Sequence, residues 1–174
     1  STLNDEPAWA QTPNSAIISR NNAPILALSM RLLHEGHPVS VSGADAGPKV
    51  IRLMGRLGSE DMTQTQTLDA IDDWAAARPD SKSAADTAEC MRVFALTSKT
   101  LGTALAYARH LFAQSNGTLH FMTGHKSKGL EFKHVYHLDS FLLRGDEQDQ
   151  NLRYVIDTRA SESLTYIETK HLGD

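Results

Sequence analysis

The sequence predicts an α/β domain built on a mostly parallel sheet, with an all-helical block set into it. Three observations carry this expectation. Short apolar, strand-like runs alternate with segments of helical period at both ends of the chain. Between them, residues 58–117 hold only helical patterns. A dense polar stretch, residues 122–132 (Met-Thr-Gly-His-Lys-Ser-Lys-Gly-Leu-Glu-Phe), directly follows one strand-like run. The carboxyl end of a strand is where open α/β sheets place ligand loops.

The elements follow in order. Ala16-Ile17-Ile18-Ser19 reads as a short buried strand after the breaker Pro13-Asn14. Pro24 suits the first turn of a helix, Ile25, Leu28, Leu32 and Leu33 give it an apolar face, and Gly36 ends it. Val39 to Ser42 alternates as a second strand, and a Gly/Pro loop from Gly43 to Pro48 leads to a short helix from Lys49 to Leu57. Helical patterns then occupy about 66–77, 84–96 and 100–115, with Asn116-Gly117 as the last stop. Strand patterns return at 119–123 and 133–138, followed by an acidic loop at 145–150, a helix at about 150–158 and a strand at 163–167. The expected organisation is a tail at 1–14, an α/β domain from 15–57 and 118–174, and a helical insertion at 58–117.

At 174 residues and 40% hydrophobic, the chain suffices for one domain with a sizeable insertion. No run of eighteen apolar residues exists and the first residues do not read as a signal peptide, so no membrane partner is expected. The single cysteine, Cys90, excludes an internal disulfide and suits a reducing, cytoplasmic setting. Its helix-like surroundings make it a packing residue, and Trp74 beside Ile71 reads the same way. The net charge of −4 argues against a strongly basic nucleic-acid module. Residues 57–99 account for all of it, with eight acids against four bases, so residues 122–134 form a local basic site of three lysines and one glutamate.

Within that site, Gly129 lets the backbone approach a ligand or take an unusual φ. Lys126 and Lys128 can neutralise phosphate, and Glu131 can accept hydrogen bonds from a sugar hydroxyl. A solvated polar loop is the alternative reading of the same composition. His125, His134 and His137 cluster in sequence, but His134 and His137 fall on opposite faces of a strand, so no metal site is expected.

Thr123-x-His125-x-x-Lys128-Gly129-Leu130-Glu131-Phe132 resembles motif V of the UvrD/Rep/PcrA-like superfamily 1 DNA helicases. Leu152-x-Tyr154-Val155-x-x-Thr158-Arg159-Ala160 resembles their motif VI, and Ser19-Arg20-Asn21-Asn22-Ala23 their motif IV, all in the family's order. The resemblance implies a RecA-like second motor domain (2A), with 58–117 as a reduced counterpart of the family's 2B insertion. It implies an intracellular, bacterial or phage-like DNA-repair enzyme, moving 3′ to 5′ on single-stranded DNA. ATP would bind between this domain and an N-terminal RecA-like domain of the same polypeptide, which would hold the Mg2+. Arg20 and Arg159 would reach the γ-phosphate, Gly129 and Glu131 would contact the nucleotide, and Thr123, His125 and Lys126 would face the DNA strand. A guanidinium suits the first task because its fixed fork matches the equatorial oxygens of a transferring phosphoryl group.

The chain departs from the family in lacking Gly-x-x-x-x-Gly-Lys-[Ser/Thr] and a strand ending in Asp-Glu, so by itself it is not expected to hydrolyse ATP. Ile156, Asp157 and Asn151 also stand where the family favours other residue types. Surface pairing offers a structural role for each arginine, Arg20 with Glu35 and Arg159 with Asp157 or Glu162. Two other readings remain: a non-catalytic nucleic-acid or protein-binding module with the same fold, and the motor of a helicase–nuclease subunit.

Overall fold

The computed structural model describes residues 14–41 and 46–168. The chain divides into two compact units, residues 1–43 with 114–174, and residues 44–113.

The first unit is an α/β layer structure. It holds β1 (Ser15–Ser19), α1 (Asn22–His34), β2 (Val39–Val41), β3 (Leu119–Thr123), β4 (Phe132–Leu138), a 3-10 turn (Ser140–Leu143), α6 (Glu147–Asp157) and β5 (Ala160–Ile167). The strands form one sheet in the order β2-β3-β1-β4-β5. Every pairing is parallel, with Ser15 opposite both Leu119 and His134. All five residues of β1 are buried, as a central parallel strand covered on both faces requires. Full burial of Ile17 and Ile18 stabilises the unit by roughly 1.5–3 kcal/mol each.

Right-handed crossovers decide which helix covers which face. The β1–α1–β2 connection runs one way along the sheet and the β4–α6–β5 connection the other, so α1 and α6 lie on opposite faces. Ala16 and Ile18 of β1 pack with Met122, Val135, Leu152 and Ile156 on the α6 side. The connections also define where the sheet changes direction, in the crevice between the carboxyl ends of β1 and β4. Gly36 follows the C-cap of α1 at φ +89°, with its N–H on Leu33 O and that of His37 on Leu32 O.

The second unit holds α2 (Ala46–Met54), α3 (Gln64–Ala76), α4 (Lys82–Leu96) and α5 (Leu101–Phe112). Three of its helices begin at hydroxyl caps: Thr63 and Gln66 form a capping box on α3, Ser81 caps α4 and Thr100 caps α5. Gln64 Nε2 donates to the carbonyls of Ala95, Leu96 and Ser98 and so closes the end of α4. Ile71, Met91, Phe94, Leu101 and Leu111 form its buried interior. Cys90 is buried there, and desolvation pushes its thiol well above the ordinary range, which makes it inert.

Three details differ from the sequence expectation. α2 groups with the helical unit, which opens at 44 rather than 58. α5 stops at Phe112 with Ala113 as C-cap, so Asn116-Gly117 lies in the linker before β3 instead of ending a helix. Trp74 is half-buried, with the Arg78 guanidinium 4.5 Å from its ring centroid, so it is a rim residue while Ile71 fills the core. Trp9 and the tail at 1–13 lie outside the described residues.

Candidate functional site

The residues singled out in the sequence all fall in the α/β unit, and the structure sorts them to two places. The first is the crevice at the carboxyl end of β1. Arg20 follows the last residue of β1 and meets Asp149 in the first turn of α6, with Nε 2.8 Å and NH2 2.6 Å from Oδ1. Asp149 is only 9% exposed, and its second oxygen accepts the Gly145 N–H at 3.2 Å. Asp146 caps α6 by accepting the Asp149 N–H. Glu35, the partner offered by the sequence, pairs instead with Arg31 on its own helix at 3.1 Å. Arg20 is therefore a charge-compensated residue that ties β1 to α6.

The polar stretch after β3 connects two strands that flank β1. Gly124 continues the sheet ladder, its N–H on Ser19 O at 2.9 Å. A Cβ at Gly124 would lie 2.8–2.9 Å from side-chain carbons of Ile156 and Leu152, so the absence of a side chain lets the loop press onto α6. The buried Ser127 hydroxyl donates to Gly124 O at 2.7 Å and its N–H to Thr123 O at 3.1 Å, which folds the loop on itself. Gly129 adopts φ +79° with open space around it, so its role is the turn. Thr123 is half-buried, while His125, Lys126, Lys128 and Glu131 are exposed.

The second place is the far end of α6. Thr158 is the C-cap, its hydroxyl on the carbonyls of Tyr154 and Val155. Arg159 Nε donates to Val155 O at 2.9 Å, NH1 to Leu130 O at 3.2 Å and NH2 to the Thr158 hydroxyl at 3.1 Å. None of these acceptors is charged. Asp157 and Glu162, its expected partners, are engaged elsewhere, Asp157 by His137 and Glu162 by Lys133 at 3.3 Å. The Phe132 N–H bonds Arg159 O at 2.9 Å, so Glu131 and Arg159 lie beside one another. Asp149 and Val155 are six residues apart on α6, a rise of about 9 Å. Arg20 and Arg159 are thus anchored at opposite ends of one helix and, as placed, do not converge on a single phosphate. The structure groups Gly129, Glu131 and Arg159, and separates Arg20 from them.

Near the last turn of α6, His137, Asp157 and Tyr166 form a polar cluster that the sequence does not group. His137, fully buried on β4, bonds Asp157 through Nδ1 at 2.8 Å. Asp157 also accepts the Tyr166 hydroxyl at 2.9 Å and lies 3.7 Å from Arg153 Nε. The carboxylate accepts, so Nδ1 carries the proton. Burial lowers the His137 pKa, outweighing the upward pull of Asp157, so the ring is neutral at ordinary pH. Its Nε2 and the Ser19 hydroxyl are the buried side-chain polar atoms without a hydrogen-bond partner among the described residues. The one available signal was Asp157 itself, an acid at an apolar position of the motif. His134 faces away, bonding Ser163 at 2.7 Å.

Among the described residues no group of three or more His, Cys, Asp or Glu is placed to hold a metal ion. No helix there is long and apolar enough to cross a membrane. A scan against protein-family models finds no match to this chain, and a search of curated proteins finds none either.

Proposed function

We propose that this chain is the second, RecA-like motor domain of an ATP-dependent DNA helicase of the UvrD/Rep/PcrA-like kind, with the helical unit as a reduced insertion. The observation that carries the reading is Arg159. It is held in place by three neutral acceptors, so its positive charge is positioned without being neutralised. That is the requirement for a guanidinium that stabilises charge on a transferring phosphoryl group. Glu131 beside it has its carboxylate exposed for a sugar hydroxyl. The self-bonded loop from Gly124 to Leu130 links this nucleotide end to Thr123, His125 and Lys126, which would face single-stranded DNA. ATP and Mg2+ would be gripped mainly by an N-terminal domain carrying the Walker A loop, and closure onto that domain would bring Arg159 to the γ-phosphate. Arg20 would serve chiefly to fix α6 against β1, and would meet phosphate only after leaving Asp149.

The Arg20–Asp149 pair also favours a second reading, a binding module with the motor fold and no turnover, since it leaves one of the two expected arginines occupied. One substitution separates the two. In the full-length protein, Arg159→Ala should lower ATP turnover by about 10³-fold or more, the usual worth of such an arginine, with nucleotide affinity close to wild type. Turnover at the wild-type rate would remove Arg159 from the chemistry and with it the motor reading.

A further inference from the structure

The Asp149 carboxylate is held by contacts that do not involve Arg20. Its own N–H donates to the Asp146 side chain at 3.1 Å, and its Oδ2 accepts the Gly145 N–H at 3.2 Å. A Cβ on Gly145 would collide with that oxygen, so the loop before α6 leaves room for the carboxylate only because a glycine stands there. Asp149 also lies in the first turn of α6, where the helix dipole favours an anion. The arrangement turns one oxygen, Oδ1, toward Arg20.

Arg20 meets that oxygen with less than its full capacity. Nε and NH2 converge on Oδ1 alone, and NH1 has no hydrogen-bond partner among the described residues. A guanidinium binds most strongly when two parallel donors meet two different oxygens. Asp149 does not offer the second, which faces the Gly145 N–H. A phosphoryl group carries the oxygens for such a match. Arg20 is also the more exposed side chain of the pair, 29% against 12%, so it is the member that can leave. Asp149 then keeps the Gly145 N–H and the helix dipole, so the exchange has a cost without leaving the carboxylate bare.

We propose that Asp149 is the resting acceptor for Arg20 and sets the terms on which a nucleotide recruits it: a terminal phosphate must displace the carboxylate. The inference rests on the motor reading and makes Asp149 a positioning residue acting through Arg20. A nucleoside triphosphate binds with an affinity lowered by the population of the paired state, whereas a diphosphate leaves the pair intact and bears no such cost. When the γ-phosphate is lost, Asp149 takes Arg20 back and restores the fastening between β1 and α6.

The test is equilibrium binding of a non-hydrolysable ATP analogue and of ADP, each with Mg2+, to the full-length protein. Asp149→Asn keeps the shape of the side chain and removes the charge that holds Arg20. It should tighten analogue binding by about tenfold and leave ADP within about twofold, with KM for ATP falling and kcat no higher. Gly145→Ala pushes on Oδ2 without altering either charge and should act in the same direction, more weakly; thermal melts report the folding of both variants. In an Arg20→Gln background Asp149→Asn should change neither ligand's affinity. Unchanged analogue affinity in a folded Asp149→Asn overturns the proposal, or in Gly145→Ala if the first variant does not fold. An equal gain for ADP also overturns it, as does a gain that survives Arg20→Gln. The motor reading fails separately, by wild-type turnover in Arg159→Ala, whatever Asp149→Asn does.

Discussion

At its first turn α6 meets Arg20 with a carboxylate; at its last turn Arg159 is met by two carbonyls and a hydroxyl. Both arginines are partly buried and both guanidinium groups have several hydrogen-bond partners. The difference is charge. Asp149 neutralises Arg20, and the pair then functions as a bolt between β1 and α6. The oxygens around Arg159 orient it and leave a full positive charge beside the loop that carries Glu131. Hydrogen-bond satisfaction alone would rank the two alike, whereas charge compensation separates a fastening from a group kept ready for an anion.

The comparison can be broken most directly through stability. Arg20→Ala strands the Asp149 carboxylate at 9% exposure with one backbone N–H, and should cost on the order of 2–3 kcal/mol. Arg159→Ala removes bonds to neutral oxygens that water can replace, at about 1 kcal/mol. Urea unfolding of both variants checks this, and equal losses would dissolve the distinction. Next in size, Gly124→Ala forces a methyl group against Ile156 and Leu152 and should destabilise the α/β unit by about 1–2 kcal/mol. A wild-type denaturation midpoint would mean that the loop does not press on α6 as described.

The smallest effect sharpens the Arg159 end. The folded pKa of His137 lies below its ordinary value because the ring is buried. Its contribution to stability is therefore fully present above the unfolded pKa of about 6.5 and is lost as pH falls through that value toward the folded one. Thermal melts should show the midpoint falling between neutral and mildly acidic pH. His137→Asn, which can still donate to Asp157, should flatten that dependence. An identical pH profile in the variant would assign the loss to other groups.

Elements whose signals are local were legible. β1 is five small or apolar residues after a breaker, α1 has Pro24 in its first turn and Gly36 beyond its end, and the parallel sheet follows from alternation of strand and helix. The 3-10 turn at Ser140–Leu143 was not, because nothing in Ser-Phe-Leu-Leu forbids a helix or a strand and Asp139 at φ 53° sets the path. The candidate loop could be read from its composition, but the partners of its arginines could not. Arg20 and Asp149 are 129 residues apart, and the acidic segment offers Asp146 and Glu147 as rivals. The choice is made by where α6 docks on the sheet, a property of tertiary packing. For the same reason the motif resemblance implies one phosphate for both arginines, while the fold anchors them apart. The sequence offers Asp157 as a surface partner for Arg159, and the buried imidazole that claims it lies 20 residues earlier on β4, beyond any local pattern.

The register of β1 has a consequence for how the molecule comes to be folded. Ser15 to Ser19 pair with Leu119 to Thr123 on one side and with His134 onward on the other. The most buried strand of the sheet is thus made early and paired late. During synthesis Ile17 and Ile18 have no neighbouring strand until the chain beyond 123 has emerged, and their second neighbour is complete only at 138, whereas α3, α4 and α5 find their contacts within a short span of sequence. Loop closure over that distance makes sheet assembly the slow step and helix assembly the fast one. Early folding of α3, α4 and α5 removes their residues from the flexible stretch whose closure precedes the pairing of β1.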